Sequence, residues 1–257
     1  MIPKPLFTRR RFLGAVATVA VGAALTESFV LEPHRLNITR VRFSEKPVSR
    51  FVVWSDFHYS GEAEFAEEIV STINGLRPEF VCFLGDLVDN RDFHVPALKF
   101  IEKIQSPVYG VPGNHDYSSR CPFALNKKTF EATGGAWLVN RIVRPPGEKI
   151  ELCGSAEKIV NFIPAQSDRP RVLLTHYPTT ADTTNGKVFS AVLAGHSHGG
   201  QVRLPLWGPV HVPRHVGHYD MGRFTTPAGP LYVNVGVGTY KFPARFNCPP
   251  EITVVEI

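Results

Sequence analysis

The sequence predicts an α/β protein in four layers, α/β/β/α: two mixed sheets packed face to face with helices outside. Three observations predict it. From residue 50 to about residue 132, short apolar runs alternate with helical patterns. Beyond residue 150 the apolar runs are short and strand-like, with almost no helical period. Five of the runs stop at polar residues, as strands do when their ends converge on one sheet edge. The 21 glycines and 22 prolines in 257 residues supply the tight turns such a chain needs.

The elements follow in order. Arg50 to Ser55 reads as a strand. Glu62 to Leu76 reads as a helix, because Phe65, Ile69, Ile73 and Leu76 share one face; Arg77-Pro78 ends it. Phe80 to Leu84 is the next strand, Pro96 to Ile104 a helix, Val108 to Val111 a strand, and Phe123 to Ala132 a helix closed by Gly134-Gly135. Further strands are expected at Ile150 to Cys153, Val172 to Thr175, Ala191 to Ala194, Leu231 to Val235 and Ile252 to Ile257. One domain over residues 37–257 suits this length; no internal repeat or low-complexity segment divides it.

Residues 1–26 read as a leader rather than as part of the fold. Lys4 and Arg9-Arg10-Arg11 precede an apolar run from Phe12 to Leu25. A run of about 14 residues suits a signal-peptide core better than a spanning helix of roughly 20. Arg9-Arg10 followed by Phe12-Leu13 resembles a twin-arginine signal, with Thr8 where Ser is usual and Gly14 where Lys is usual. An uncleaved N-terminal anchor is the alternative. Either reading expects export to the periplasm or envelope, with the export machinery as a partner and with membrane or cell-wall association. Taking the leader's four positive charges from the formal +5 leaves about +1, so the basic balance is targeting and no nucleic-acid partner is expected. Cys82, Cys121, Cys153 and Cys248 fit no zinc spacing, and Cys82 reads as core.

The polar strand ends carry the chemistry. Asp56-Phe57-His58 follows the first predicted strand of the domain; Gly85-Asp86-Leu87-Val88-Asp89 the second; Gly113-Asn114-His115-Asp116 the third; His176 follows Thr175; Gly195-His196-Ser197-His198 follows Ala194. Taken singly, each is ordinary: a turn, a capping histidine, a solvated loop. Five in order, each directly after a strand, point to a shared partner, because buried carboxylates and imidazoles need one. A pair of cations would serve them all. Carboxylate, imidazole and amide donors without thiolate favour manganese, with iron or zinc as alternatives.

These motifs resemble the calcineurin-like metallophosphoesterases across residues 51–201. Gly199-Gly200-Gln201 with Arg203-Leu204-Pro205, and the tail Arg245-Phe246-Asn247-Cys248-Pro249-Pro250, are similar to an exported bacterial branch of YkuE/YaeI type. The resemblance implies hydrolysis of phosphate esters by two divalent ions. One would be held by Asp56, His58, Asp86 and His198; the other by Asp86, Asn114, His176 and His196. It implies that His115 assists the leaving oxygen, that Asp116 orients its ring, and that Asp89 stands behind the ligands. The segment from Gly154 to Arg171 is shorter than in relatives, and Ser197 replaces a common Thr.

The leading expectation is a phosphodiesterase acting on an envelope or lipid-linked substrate. A pyrophosphatase of nucleotide-linked lipids is disfavoured by the export signal, a nuclease by the near-neutral mature charge, and a non-catalytic scaffold by the intact ligand set. His211, His215 and His218 share a Pro/Gly-rich stretch and read as a solvated loop, with the overhang of a site as the alternative.

Overall fold

The computed structural model describes residues 8–156 and 158–257. Lys4 lies outside them. Thr8 caps the first helix, its hydroxyl accepting from the Arg11 N–H at 3.4 Å. That helix, α1 (Arg9–Thr26), has no buried residue. It runs on through a π turn (Glu27–Leu31) and a 3-10 turn (Glu32–His34). The 26 residues from Arg9 to His34 are long and apolar enough to cross a membrane.

Four α-helices follow among the described residues: α2 (Ala63–Gly75), α3 (His94–Glu102), α4 (Asn114–Ser118) and α5 (Phe123–Ala132). The strands are β1 (Asn37–Arg42), β2 (Arg50–Trp54), β3 (Val81–Phe83), β4 (Val108–Gly110), β5 (Ala136–Trp137), β6 (Arg141–Val143), β7 (Glu151–Ser155), β8 (Arg171–Thr175), β9 (Ala191–Ala194), β10 (Arg203–Leu204), β11 (Gly208–Pro209), β12 (Gly222–Thr226), β13 (Gly229–Val233) and β14 (Glu251–Glu256). One six-stranded sheet runs β1-β14-β2-β3-β4-β5 and the other β12-β13-β9-β8-β7-β6. Both are mixed: β14 is antiparallel to β2, and β12 and β6 are antiparallel to their neighbours.

Strand β2 shows why the sandwich forms. Phe51 and Val53, with Cys82 and Leu84 beside them, face the second sheet and pack with Leu152, Val172, Leu174 and Leu193. Val52 and Trp54 face the other way, into Ile69 and Ile73 of α2, Leu98 and Ile101 of α3, and Phe130 of α5. A strand covered on both faces reads as a continuous apolar run, not as an alternation. The outer face of the second sheet, with Cys153, Leu173, Val192 and Val233, is covered by the 3-10 turn Pro178–Asp182 and by loop residues Val160, Ile163, Phe189 and Tyr219. Among the described residues no α-helix follows Ala132. Strands β2, β3 and β4 run parallel, as do β8 and β9, so their C-terminal ends bring loops of both sheets to one edge.

Candidate metal centre

The loops at that edge are tied to one another before any side chain is considered. The Asp56 N–H donates to the Gly85 carbonyl (2.9 Å), His58 N–H to the Asp86 carbonyl (3.1 Å), and Gly195 N–H to the His176 carbonyl (3.2 Å). Below them Asn234, fully buried after β13, joins the sheets: its amide oxygen accepts from the Ser55 hydroxyl (2.8 Å) and its amide nitrogen donates to Thr253 (2.9 Å). Asp56, His58, Asp86, His196 and His198 all have φ between 43° and 68°. Non-glycine residues rarely hold that conformation, which costs about 1–3 kcal/mol each and persists where the surroundings over-determine it. Two close approaches require glycine: a Cβ at Gly113 would fall 2.1 Å from Asp86 Oδ1, and one at Gly195 would fall 2.7 Å from Asp56 Oδ2.

All seven candidate ligands meet here, and every one except Asn114 is buried. Asp56, His58 and His198 form one cluster able to hold an ion; Asp86, His176 and His196 form another. One oxygen, Asp86 Oδ2, lies 3.6 Å from His58 Nε2 and 3.2 Å from His176 Nε2, so it reaches both. Asn114 Oδ1 is 3.0 Å from His176 Nε2.

The hydrogen-bond directions test whether cations fit. His176 Nδ1 donates to the Leu84 carbonyl (2.8 Å), and His196 Nε2 donates to the Arg214 carbonyl (2.7 Å). A carbonyl can only accept, so each ring spends its N–H there. The remaining nitrogens, His176 Nε2 and His196 Nδ1, converge at 3.0 Å on the interior of the site. His58 repeats the pattern: Nδ1 bonds Asp89 at 2.7 Å, and Nε2 is buried with no hydrogen-bond partner. His198 Nδ1 is likewise buried and unpartnered. Converging acceptors with outward-spent N–H groups are what divalent ions require of imidazole ligands. The donor set fits.

The electrostatics agree. Burial, and then the charge of His176, hold His196 down to about 3; burial, His58 and Arg245 hold His198 well below the usual imidazole range. Neutral imidazoles are the ligating form. For His176 burial works downward, but Asp86 and Asp56 outweigh it and push the ring up to about 9. Burial raises Asp56, with Asp86 adding to it; Asp86 itself, despite its burial, is lowered by His176 and His58. The negative charge that draws a proton to His176 is the charge that would draw a cation.

His115 and Asp116 open α4. Sequence reasoning paired them; the structure distributes them differently. Asp116 accepts from the backbone N–H groups of Gly113 (2.8 Å), Asp86 (2.9 Å) and Leu87 (3.1 Å), so its carboxylate fastens the β3 and β4 loops together. The contact to the His115 ring belongs to Asp89, whose Oδ1 is 2.7 Å from His115 Nδ1 and also takes His58 Nδ1. The residue that sequence reasoning missed is Tyr240. Its ring lies 4.7 Å from that of His115 and 5.8 Å from that of His58. Its signal was present: Gly236-Val237-Gly238-Thr239-Tyr240 is another polar exit directly after a buried strand. Arg245, in the tail that carries the branch resemblance, is fully buried and donates to the carbonyls of Val235, Gly236, Gly238 and Cys248. It thereby shapes the loop in which Gly236 passes beside Asp56. His215 sits at the rim, lining an open pocket with Asn114, Tyr117, Lys158 and Tyr177. The cysteines are all buried and unbridged.

Comparison with known proteins agrees with this geometry. The calcineurin-like phosphoesterase signature matches residues 49–200. The metallophosphoesterase YkuE of Bacillus subtilis (strain 168) is 30% identical, with 96% of this chain and 96% of that protein covered. Phosphodiesterase YaeI of Escherichia coli (strain K12) is 26% identical, covering 98% of this chain and all of that one. One solved structure superposes with a TM-score of 0.51 at 11% identity, over 74% of this chain and 91% of the other, a likeness of fold. The family is dimetal-dependent, and the clusters for it are present. The chain belongs to the calcineurin-like phosphoesterase family and is a metal-dependent phosphoesterase.

Proposed function

We propose that this chain is a binuclear phosphodiesterase of the cell envelope, exported by the twin-arginine route and held at the membrane by α1. The observation that carries the binuclear reading is the placement of Asp86: one carboxylate oxygen within 3.6 Å of imidazole nitrogens from both clusters. Asp56, His58, Asp86 and His198 would hold one ion, and Asp86, Asn114, His176 and His196 the other, manganese being the best match to these donors and iron or zinc the alternatives. Such a pair supplies an activated water and charge neutralisation at the phosphoryl oxygens.

The chain's own residues do the rest. The N–H anchors on Leu84, Arg214 and Asp89 fix the ring orientations, so no reorganisation is needed when charge develops. Asp89 takes His115 Nδ1, leaving Nε2 as the atom that protonates the leaving oxygen. Tyr240 packs against the same ring and limits its rotation. The diester preference is supported by the similarity to phosphodiesterase YaeI over nearly the whole chain. The envelope setting is supported by α1: it is apolar, has no buried residue, and continues without a break into residues fixed on the domain.

The test is hydrolysis of an aryl phosphodiester against the matching monoester by the full chain in detergent, reconstituted with manganese, beside Asp86→Asn. Metal-dependent turnover that favours the diester and is lost in the variant is expected. Equal turnover by Asp86→Asn would sink the binuclear reading, and preference for the monoester would sink the diester assignment.

A further inference from the structure

The hairpin β10–β11 carries an apolar tip that neither folding nor the metal site uses. Leu206 is fully exposed, Trp207 is 87% exposed, and Val210 just beyond is also exposed. Hairpin turns in water favour glycine, asparagine and aspartate; this one is Pro205-Leu206-Trp207, with Leu206 at φ 69°. A leucine held in the left-handed region with nothing packed on it is a cost without a return in water. In the neighbouring loop Phe242 is 69% exposed beside Lys241.

These features share a base with α1. The Arg203 N–H donates to the Phe246 carbonyl (2.9 Å) and Phe246 N–H to the Gln201 carbonyl (2.8 Å). On either side of Phe246, Arg245 N–H donates to the Ser28 carbonyl (2.8 Å) and Asn247 N–H to the buried Glu32 carboxylate (2.8 Å). The hairpin and the apolar helix therefore spring from one hydrogen-bonded knot. Charge runs the same way along this stretch of chain. From Gly199 to Pro250 the one acidic residue is Asp220, and Arg203 neutralises it at 2.7 Å, while Arg214 and Lys241 are exposed.

We infer that the β10–β11 tip, with Phe242 and Lys241, is a second bilayer contact that works with α1 to seat the rim of the metal site on an anionic lipid surface. A tryptophan at the headgroup level and cations beside it are the expected chemistry of such a contact. The rim is involved because Gln201 ties the loop together: its amide donates to the carbonyls of Tyr240 and Phe242 (both 3.2 Å), while Tyr240 faces His115. The same short loop thus has Phe242 outside and Tyr240 over the site. The inference rests on α1 lying in the membrane and is independent of the reaction proposed above.

Trp207 reports on it directly, because the other two tryptophans, Trp54 and Trp137, are 0% and 3% exposed. The full chain is reconstituted into phosphatidylglycerol–phosphatidylethanolamine vesicles with and without brominated acyl chains, and Trp207→Phe isolates the signal. Brominated lipid is expected to quench most of the Trp207 emission, and aqueous iodide little of it. Leu206→Glu is expected to reverse that order while leaving detergent-phase turnover of the aryl diester unchanged. Vesicle-bound protein whose Trp207 is quenched by iodide and not by brominated lipid would overturn the hairpin contact alone. A chain that does not float with the vesicles would overturn it together with the anchor.

Discussion

Asp89 shows what a single carboxylate does in this site. One of its oxygens accepts from both His58 and His115 at 2.7 Å, so it orients a candidate ligand and the candidate proton donor together. Burial alone would raise its pKa, but the two imidazoles hold it well below the usual carboxylate range. Asp89→Asn keeps the shape and removes the charge. It is expected to lower turnover about 10–100-fold, the usual effect of losing a carboxylate behind a ligating histidine. The acid limb of the pH–rate profile should move with it, because His58 loses the Asp89 charge that favours its protonation; an unchanged profile would contradict the assignment. Asp116→Asn should behave otherwise. Its oxygens accept three backbone N–H groups, and an amide nitrogen in place of one of them leaves donors facing a donor. The expected result is a loss of about 1–3 kcal/mol in denaturant unfolding, not a shifted pH profile. Residue types and spacing made the ligand candidates legible in the sequence. They did not make the division of labour between Asp89 and Asp116 legible, because both lie within three residues of a candidate ligand and only the fold decides which one reaches the ring.

Arg245 illustrates the scale of the element. A fully buried guanidinium with backbone carbonyls as its acceptors holds the segment after β13 in place, four of its five contacts falling on Val235, Gly236 and Gly238. Arg245→Met is expected to destabilise the chain by about 1–3 kcal/mol, the cost of leaving buried backbone acceptors unsatisfied, and to loosen the loop bearing Tyr240. Arg245→Lys should recover little, since a lysine lacks the planar fork. At the far end of the second sheet, Glu151 and Arg171 are paired residues of β7 and β8, joined at 3.0 Å. Against its burial, Ser167, Arg171 and Arg144 lower the Glu151 carboxyl to about 2, below its ordinary 4.5. A depressed carboxylate pKa gives stability that is present above the unfolded value and lost as pH falls toward the folded one. The native chain should therefore lose this contribution between about pH 4.5 and 2, and Glu151→Gln should flatten that part of a stability–pH curve. Strands β2, β3, β8 and β9 could be read from the sequence because burial on both faces makes them continuous apolar runs. Strand β1 could not: Asn37-Ile38-Thr39-Arg40-Val41-Arg42 buries only Val41, and its partner β14 lies at the other end of the chain. The cover of the second sheet was illegible for a related reason, being loop residues without period.

At the scale of the molecule, the centre is a place where the fold works against itself. Two carboxylates are fully buried near one another, five candidate ligands sit in the left-handed region, and imidazole nitrogens face each other at 3.0 Å. These costs fall on the native state alone, and cations bound there would offset them. Binding to the folded chain at 100 times Kd adds about 2.7 kcal/mol, and a domain of this size gains roughly 2–4 °C per kcal/mol. Manganese is therefore expected to raise the melting temperature by about 5–10 °C, and a chelator to reverse it. Asp86→Asn separates this from a general effect of salt. Removing the charge that both clusters share should abolish the metal-dependent shift, and the metal-free variant should melt somewhat below the metal-free native chain, because the lowered Asp86 carboxylate pairs there with His176 and His58. If the variant retained the shift, the stabilising ions would be bound elsewhere. If it melted far below the native chain, Asp86 would be chiefly structural, through the His115 N–H it accepts at 2.7 Å. The calorimetric trace therefore tests the binuclear centre without any substrate.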